Sequence, residues 1–281
     1  MQIRAELGFS EAALGAAVAG AFLTGACAGP VGGRLADRIG PRAAVFTGST
    51  LSVLALVGIA GGAHSWAHVA AMLALSGVAF ALTDPGLAIL VTRAVPATRQ
   101  GLAFGVKEAS IPIATLAAGL AVPLIALTLG WRWAFMGGLL PLAGLVIVLP
   151  RIDLTGRGGP APERTLDAAT AAEGPPHMTL VLVTVAAALG SGAASGVGVF
   201  LTESAVAMGL SPASAGLLLA VGSVAGIVTR ITTGILADRS GEGQLGVISW
   251  MLATGAAAMI LGAGGTAPLL AVGTIGAFAA G

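Results

Sequence analysis

The sequence has little charge, with 13 Lys and Arg residues and 12 Asp and Glu residues among 281, for a net charge of +1. This balance gives no basic field, which excludes nucleic acid as a partner. Cys27 is the only cysteine, so no disulfide can form within the chain. His64, His68 and His177 lack metal-ligand spacing to a cysteine or carboxylate, so we expect no metal and no cofactor. No segment combines a nucleophile, a base and an acid, so we predict no catalytic residues and no enzyme.

Long apolar runs dominate the rest of the chain. Hydrophobic residues make up 56% of it, and the mean hydropathy is +0.97. Runs of about 20 residues recur, which is the length that crosses roughly 30 Å of hydrocarbon as a helix. The sequence therefore predicts an all-α polytopic protein of a lipid bilayer, in a plasma or bacterial inner membrane. The predicted spans are 12–32, 43–62, 66–92, 99–127, 132–150, 178–201, 212–235, 245–264 and 267–281.

One long polar segment, 151–177, divides these spans. It is rich in Pro, Gly and Ala, and we interpret it as a flexible cytoplasmic linker between bundles at 1–150 and 178–281. Arginines are concentrated in alternate turns, and the positive-inside rule places those turns in the cytoplasm. The external side has only Arg4 and Arg132. The cytoplasmic side has Arg34, Arg38, Arg42, Arg93, Arg99, Arg151, Arg157, Arg164 and Arg239.

Two charged segments are near copies, GRLADRIGPR at 33–42 and GILADRSGEG at 234–243, and we predict a turn between helices at each. A shift of 201 positions aligns them, and without a gap it also aligns LGFSEAALG at 7–15 with MGLSPASAG at 208–216. Ser10 and Ser211 are then placed as N-caps of the helices that follow. The repeat predicts two homologous half-bundles in parallel.

The segment at 33–42 resembles the G-x-x-x-D-R-x-G-x-R motif between helices two and three of the major facilitator superfamily. The copy at 234–243 falls where that family repeats the motif, and GWRWAF at 130–135 is similar to another family feature. The resemblance implies two pseudo-symmetric helical bundles. It also implies a conformational latch, in which Asp and Arg bond each other and neighbouring helix ends; a role in topology alone is the alternative. The latch residues are Gly33, Asp37, Arg38, Gly40, Arg42, Gly234, Asp238 and Arg239.

That family has twelve helices, and the predicted spans correspond to helices two to ten. The resemblance therefore implies that both bundles are incomplete, with the first helix and the last helices outside this chain, through a fragment or a wrongly assigned gene start. The full-length protein is expected to function as a monomer.

Four ionisable residues lie well inside predicted spans: Asp84, Lys107, Glu108 and Arg230. Each charge at the bilayer centre costs about 2.5–3.5 kcal/mol, so a structural or functional role is expected. At about 1.5 Å per residue, three of them, Asp84, Lys107 and Arg230, lie about 10–13 Å from the cytoplasmic ends of their helices. This is close to the depth at which such transporters hold substrates.

For these residues the sequence leaves alternatives open. Asp84 and Lys107 can neutralise each other across two helices. Glu108 projects about 100° away from Lys107, so we expect these two to face different partners. Arg230 has no visible partner in its own helix and resembles the carboxylate-binding arginine of monocarboxylate transporters, although snorkelling to the cytoplasmic interface is the alternative.

Charges and indoles near outer helix ends need no ligand. We expect Arg132 and Glu203 to be solvated there, and Trp66, Trp131 and Trp133 to act as interfacial anchors.

Together these features predict a secondary transporter that moves a small organic solute, and an anion is favoured because two cations lie in the cavity. The alternative is a proton-coupled drug or metabolite efflux antiporter with Asp84 or Glu108 as proton carrier. A non-transporting receptor or assembly partner needs an interaction domain, and only the linker is long enough to hold one.

Overall fold

The chain folds into helices. The structure, a computed structural model, describes residues 2–151, 199–239 and 267–280, with the isolated positions 178, 185, 253, 255–257 and 260. Within these ranges the elements are α1 (Gln2–Leu7), α2 (Glu11–Ile39), α3 (Pro41–Gly62), α4 (Trp66–Ala94), α5 (Gln100–Ala121), α6 (Trp131–Met136), α7 (Leu139–Val148), α8 (Pro212–Arg239) and α9 (Ala267–Ala280). Residues 199–207 are also helical.

Six helical stretches within the described ranges are long and apolar enough to cross a membrane, which confirms the predicted all-α polytopic class. They are Glu11–Ile39, Pro41–Gly62, Trp66–Ala94, Ala97–Ala126, Trp131–Arg151 and Pro212–Arg239. The predicted span at 245–264, most of the span at 178–201 and the linker after Arg151 lie outside the described residues.

The predicted turn at 33–42 is wrong in extent. Helix α2 continues through the charged motif to Ile39, and only Gly40 interrupts the helical path before α3. Gly40 has a φ of +85°, which glycine adopts without steric cost, and Pro41 suits the first helical position. Helix α8 likewise continues to Arg239, so Asp238 lies in its last turn rather than in a loop.

Two other predicted spans are irregular. Helix α5 passes into a π-helical stretch at Val122–Ala126, where Pro123 has no N–H to donate. The predicted span 132–150 is interrupted at Gly137 and Gly138, between α6 and α7. Glycine disfavours a helix interior, which accounts for a break at two consecutive glycines.

The described residues form two compact units, one made of those within 1–96 and 124–158 and the other of those within 97–123 and 159–281. Helix α5 is therefore grouped with α8, whereas the predicted boundary at 150 places it with the first bundle. The division into bundles at 1–150 and 178–281 stays a prediction.

In the first unit, α4 packs against both α2 and α3. Gly32 and Gly77 lie directly against backbone carbonyls of the facing helix, so any larger residue there would force α2 and α4 apart. Small residues at such crossings are typical of membrane helices, where packing rather than water exclusion drives association.

In the second unit, α8 packs against α5, α9 and the helical residues 199–207. Its apolar core consists of Leu201, Ala205, Ala215, Leu219 and Leu270. This core holds α8 in place for the charged groups described next.

Candidate functional site

Helices α5 and α8 pack antiparallel with their backbones in close contact. A methyl group at Gly101 would lie 2.6 Å from the carbonyl oxygen of Gly234, and one at Gly119 would lie 2.6 Å from that of Gly216. A methyl group at Gly105 would lie 2.5 Å from the carbonyl oxygen of Arg230. Glycine is therefore required for this approach, and the register places Arg230 opposite Gly105.

The face of α5 that meets α8 also has Glu108. Positions 101, 105, 108, 112 and 119 follow the three- and four-residue spacing of one helical face. Pro112 on this face lies against Gly226, because a methyl group added at Gly226 would lie 3.3 Å from the Cβ atom of Pro112. Glu108 is thus placed on the α8-facing stripe between Gly105 and Pro112.

The Arg230 side chain extends along α8 toward the middle of the helix. Its Nη1 donates to the carbonyl oxygen of Gly226 at 3.3 Å, one turn toward the helix N-terminus. The expectation of no partner within its own helix is wrong, because helical side chains lean toward the N-terminal turn and the Arg230 guanidinium reaches the backbone carbonyl of Gly226. This direction leads away from the charged end at Asp238 and Arg239.

Lys107 and Glu108 form an ion pair with each other. Lys107 Nζ donates to Glu108 Oε1 at 2.8 Å, with side chains 12% and 47% exposed respectively. The expectation that these neighbours face different partners is wrong, because the four-carbon stem of lysine spans the angle between adjacent helical positions. The charge of Glu108 also acts on the Arg230 guanidinium, so this carboxylate has Lys107 in direct contact and a second cation in its vicinity.

Asp84 lies in α4, directly before Pro85. Asp84 belongs to the first unit and Lys107 to the second, and their pairing stays a prediction.

The second charged segment binds the start of α5. Asp238 accepts hydrogen bonds from two backbone N–H groups, that of Gly101 at 2.6 Å to Oδ1 and that of Leu102 at 2.8 Å to Oδ2. These are among the N–H groups that a helix leaves unpaired at its N-terminus, where the helix dipole also favours a negative charge. Gly234 makes room for this contact by its approach to Gly101, and Arg239 at the end of α8 is exposed.

The first charged segment has different surroundings. Asp37 and Arg38 are exposed in the last turn of α2, and Arg42 is half-buried at the second position of α3. Gly33 and Gly40 have open space where a methyl group would lie. The structure therefore places the two copies of the motif differently.

Comparison with known proteins agrees with this arrangement of helices and motifs. The family model of the major facilitator superfamily matches residues 1–281. The chain belongs to the major facilitator superfamily. Together with its apolar helices, this makes it an integral multi-pass membrane protein.

Among curated relatives, the chain is similar to an uncharacterized MFS-type transporter of Mycobacterium tuberculosis. The two are 31% identical over 139 residues, which is 46% of this chain and 24% of the relative. The chain thus spans about a quarter of the length of this superfamily member.

A second polar cluster lies in the first unit, around the GWRWAF segment that resembles the superfamily feature. Glu6 accepts from Trp131 Nε1 and from Arg132 Nη1, each at 2.6 Å. The Arg132 guanidinium lies 4.4 Å from the centre of the Trp131 ring, and Arg132 also donates to the Ala63 carbonyl at 3.4 Å. The sequence position of Arg132 predicted a solvated side chain, but the structure shows it bound to Glu6 and close to the Trp131 ring.

This cluster fixes the short helix α1. Ile3 and Leu7 of α1 pack on the buried residues Ile59, Val69 and Trp131. The Trp131 indole, followed in importance by the Arg132 guanidinium, holds the pKa of the Glu6 carboxyl below its usual value. Sequence reasoning missed Glu6, because MQIRAELGFS has no motif that indicates a contact 125 positions away.

Proposed function

We propose that this protein is a secondary transporter that moves a small organic anion across a cell membrane by alternating access. Arg230 binds the anionic group of the solute, and Lys107 adds positive charge to the same site. The protein acts as a monomer, and the end of α8 at Asp238 and Arg239 faces the cytoplasm. Membership of the superfamily supports the general activity, and the charges on α5 and α8 support the choice of solute.

The observation that carries the proposal is the direction of the Arg230 side chain. A snorkelling arginine would extend toward the charged end of its helix, whereas Arg230 Nη1 bonds to Gly226, about 18 Å from Asp238 at 1.5 Å per residue. A guanidinium at this depth costs free energy on insertion, which an anionic solute would offset. Two cations and one carboxylate leave a net charge of +1 at the site.

The sequence-derived alternative, a proton-coupled drug or metabolite efflux antiporter, uses Asp84 or Glu108 as proton carrier, and Glu108 is the one in the same unit as Arg230. The Glu108 side chain is 47% exposed, so the carboxylate is accessible for proton exchange. A lipophilic cation would also need aromatic contacts, and Phe, Trp and Tyr together make up only 4% of the chain. We therefore favour the anion.

Counterflow in liposomes tests the proposal. The purified gene product is reconstituted with unlabelled pyruvate, succinate or methanesulfonate inside, and entry of the same labelled anion is measured. At least one anion should exchange, and Arg230→Ala should lower its apparent affinity about tenfold or more, since a charge-assisted hydrogen bond contributes about 1.5–3 kcal/mol.

Arg93→Ala is the matched control, because Arg93 is an exposed arginine in the last turn of α4. Its exchange should equal that of the unmodified protein. Exchange of none of the three anions, or normal exchange by Arg230→Ala, would contradict the proposal.

A further inference from the structure

Glu108 is level with the side chain of Arg230, because of the register between α5 and α8. Gly105 lies against the backbone of Arg230. Pro112, about two turns further along α5, lies against Gly226, about one turn back along α8. Glu108 lies between these two points of α5, and the Arg230 side chain covers the same stretch of α8, up to the carbonyl of Gly226. The carboxylate and the guanidinium are therefore placed beside each other, and the charge of Glu108 acts on Arg230.

The ion pair of Lys107 with Glu108 presents its negative member. The two charged groups are 2.8 Å apart, and the lysine side chain is 12% exposed whereas the glutamate side chain is 47% exposed. The accessible member of the pair is thus the carboxylate. A solute that reaches Arg230 meets one cation in that guanidinium and one anion in Glu108.

We propose that Glu108 selects for anions with a single negative charge, so that the solute is a small monovalent anion. This inference rests on the proposed function and names the class of its solute. Arg230 binds the one anionic group, and its planar fork can do so with two parallel hydrogen bonds. A divalent anion bound at the same place brings its second negative charge close to Glu108, which repels it.

Repulsion decides between two anions that make the same favourable contact. A monovalent and a divalent anion can both bind Arg230, and specificity is the difference between their affinities, so a group that disfavours only one of them sets the preference. One charge close to a carboxyl group changes its proton affinity by about ten- to a thousandfold. From the same effect we expect a preference of about tenfold or more for the monovalent anion.

Competition between matched anions tests the inference. The purified gene product is reconstituted in liposomes at neutral pH, and counterflow of whichever labelled anion exchanges is measured with unlabelled competitors outside. The competitors form two pairs, propionate with succinate and methanesulfonate with ethanedisulfonate. Sulfonates stay ionised over the whole working range of pH, so protonation of the competitor does not contribute to the second pair. In each pair the divalent member should need about tenfold or more higher concentration to inhibit.

Substitutions of the ion pair should change this preference in a definite order. Glu108→Gln removes the repelling charge and leaves two cations, so the divalent competitors should gain about tenfold relative to their monovalent partners. Glu108→Gln combined with Lys107→Met removes the whole pair and leaves Arg230 alone, so the preference should be intermediate. Lys107→Met alone should weaken both members of each pair and keep the monovalent preference. Glu11→Gln, at a carboxylate that is 70% exposed, should match the unmodified protein.

The outcomes separate this inference from the proposed function. Failure of every anion to exchange would contradict the anion site itself. Exchange with equal inhibition by the two members of each pair, exchange of succinate alone, or a monovalent preference unchanged in both Glu108→Gln and the double variant would overturn the role of Glu108 and leave the anion site standing.

Discussion

The carboxylate of Asp238 lies 2.6 Å from the backbone nitrogen of Gly101 and 2.8 Å from that of Leu102, so the last turn of α8 caps the first turn of α5. The contact joins residues 137 positions apart in sequence. A negative charge at a helix N-terminus is favoured by the dipole as well as by the hydrogen bonds. The charged motif of α8 therefore stabilises the N-terminus of α5, through the hydrogen bonds of Asp238.

Asp238→Asn should destabilise the protein. The amide keeps one acceptor oxygen but loses the charge and the second acceptor, and caps of this kind contribute about 0.5–2 kcal/mol. The melting temperature in detergent should fall, and it should fall less for Asp37→Asn, because Asp37 is exposed. Equal losses for the two variants would show that the cap on α5 is not what distinguishes Asp238.

Arg230→Lys should impair anion transport less than Arg230→Ala. Lysine keeps the positive charge but loses the planar fork that holds a carboxylate with two parallel bonds. Affinities from counterflow should therefore rank the unmodified protein first, lysine second and alanine last. Lysine and alanine variants of equal affinity would mean that the charge of Arg230 contributes nothing to solute binding.

If Lys107 only neutralises Asp84, the double change Asp84→Asn with Lys107→Ala should restore transport that either change alone impairs. The same neutralisation should not rescue Arg230→Ala. Uptake by the two single variants, the double variant, Arg230→Ala, and Arg230→Ala combined with Asp84→Asn, measured side by side, distinguishes a neutralising pair from a binding cation.

Gly105→Ala should separate α5 from α8. The added methyl would lie 2.5 Å from the Arg230 carbonyl oxygen, and that atom belongs to backbone and cannot rotate away. Overpacking of this kind costs about 1–3 kcal/mol. Gly20→Ala is the matched control, since a methyl at Gly20 in α2 meets nothing within 4 Å. Gly20→Ala should leave the melting temperature unchanged or raise it, because alanine favours a helix interior more than glycine does. A melting temperature that falls equally in both variants would contradict a specific steric contact at Gly105.

Acid should release the contact between Glu6 and Trp131. The pKa of Glu6 is lowered in the folded protein, so the stabilisation is complete above the ordinary pKa of glutamate, about 4.3. It is lost as the pH falls through the lowered value. The difference in tryptophan fluorescence between the unmodified protein and Glu6→Gln should therefore be present at neutral pH and vanish in acid.

Glu11→Gln serves as the control for this measurement, because the Glu11 carboxylate pairs with Arg4 at 3.1 Å rather than with an indole. Its fluorescence should match that of the unmodified protein throughout. A fluorescence difference for Glu6→Gln that persists in strong acid would contradict a role for the ionised carboxylate.

Thiol labelling in intact cells should place position 159 inside and position 64 outside. Cys27 is exposed and must first be replaced by serine, after which Gly159→Cys and His64→Cys are made singly. An impermeant maleimide should label only the second variant. Labelling of position 159 in sealed cells would reverse the orientation derived from the arginines.

The sequence alone was sufficient to predict the six membrane-crossing helices of the described residues, because apolar length is a local signal. Helix ends were less accurate, since α2 runs seven residues past its predicted end at 32, to Ile39. Charge predicted a loop there, but a helix that leaves the hydrocarbon can continue in water with charged residues on its surface. Only a residue with positive φ ends it.

Contacts between distant segments were not predictable from these patterns. Nothing near Glu6 indicates Trp131, and nothing near Asp238 indicates Gly101. The ion pair of Lys107 with Glu108 was missed for a different reason, because the angle between neighbouring helical positions describes Cβ directions and not the reach of a lysine.

Where α5 and α8 meet, at Gly101 with Gly234 and at Gly119 with Gly216, both partners are main chain, and this has a consequence for how the sequence can evolve. Where two apolar side chains are in contact, a larger residue on one helix can be compensated by a smaller residue on the other. Where two backbones are in contact, neither glycine can become smaller, so no such compensation is possible. A saturation library of these helices should therefore return glycine alone at the four positions, with no second-site suppressor on the facing helix. The apolar positions between them should tolerate many residues, so the helix pair should appear in the library as isolated invariant points along two otherwise permissive segments.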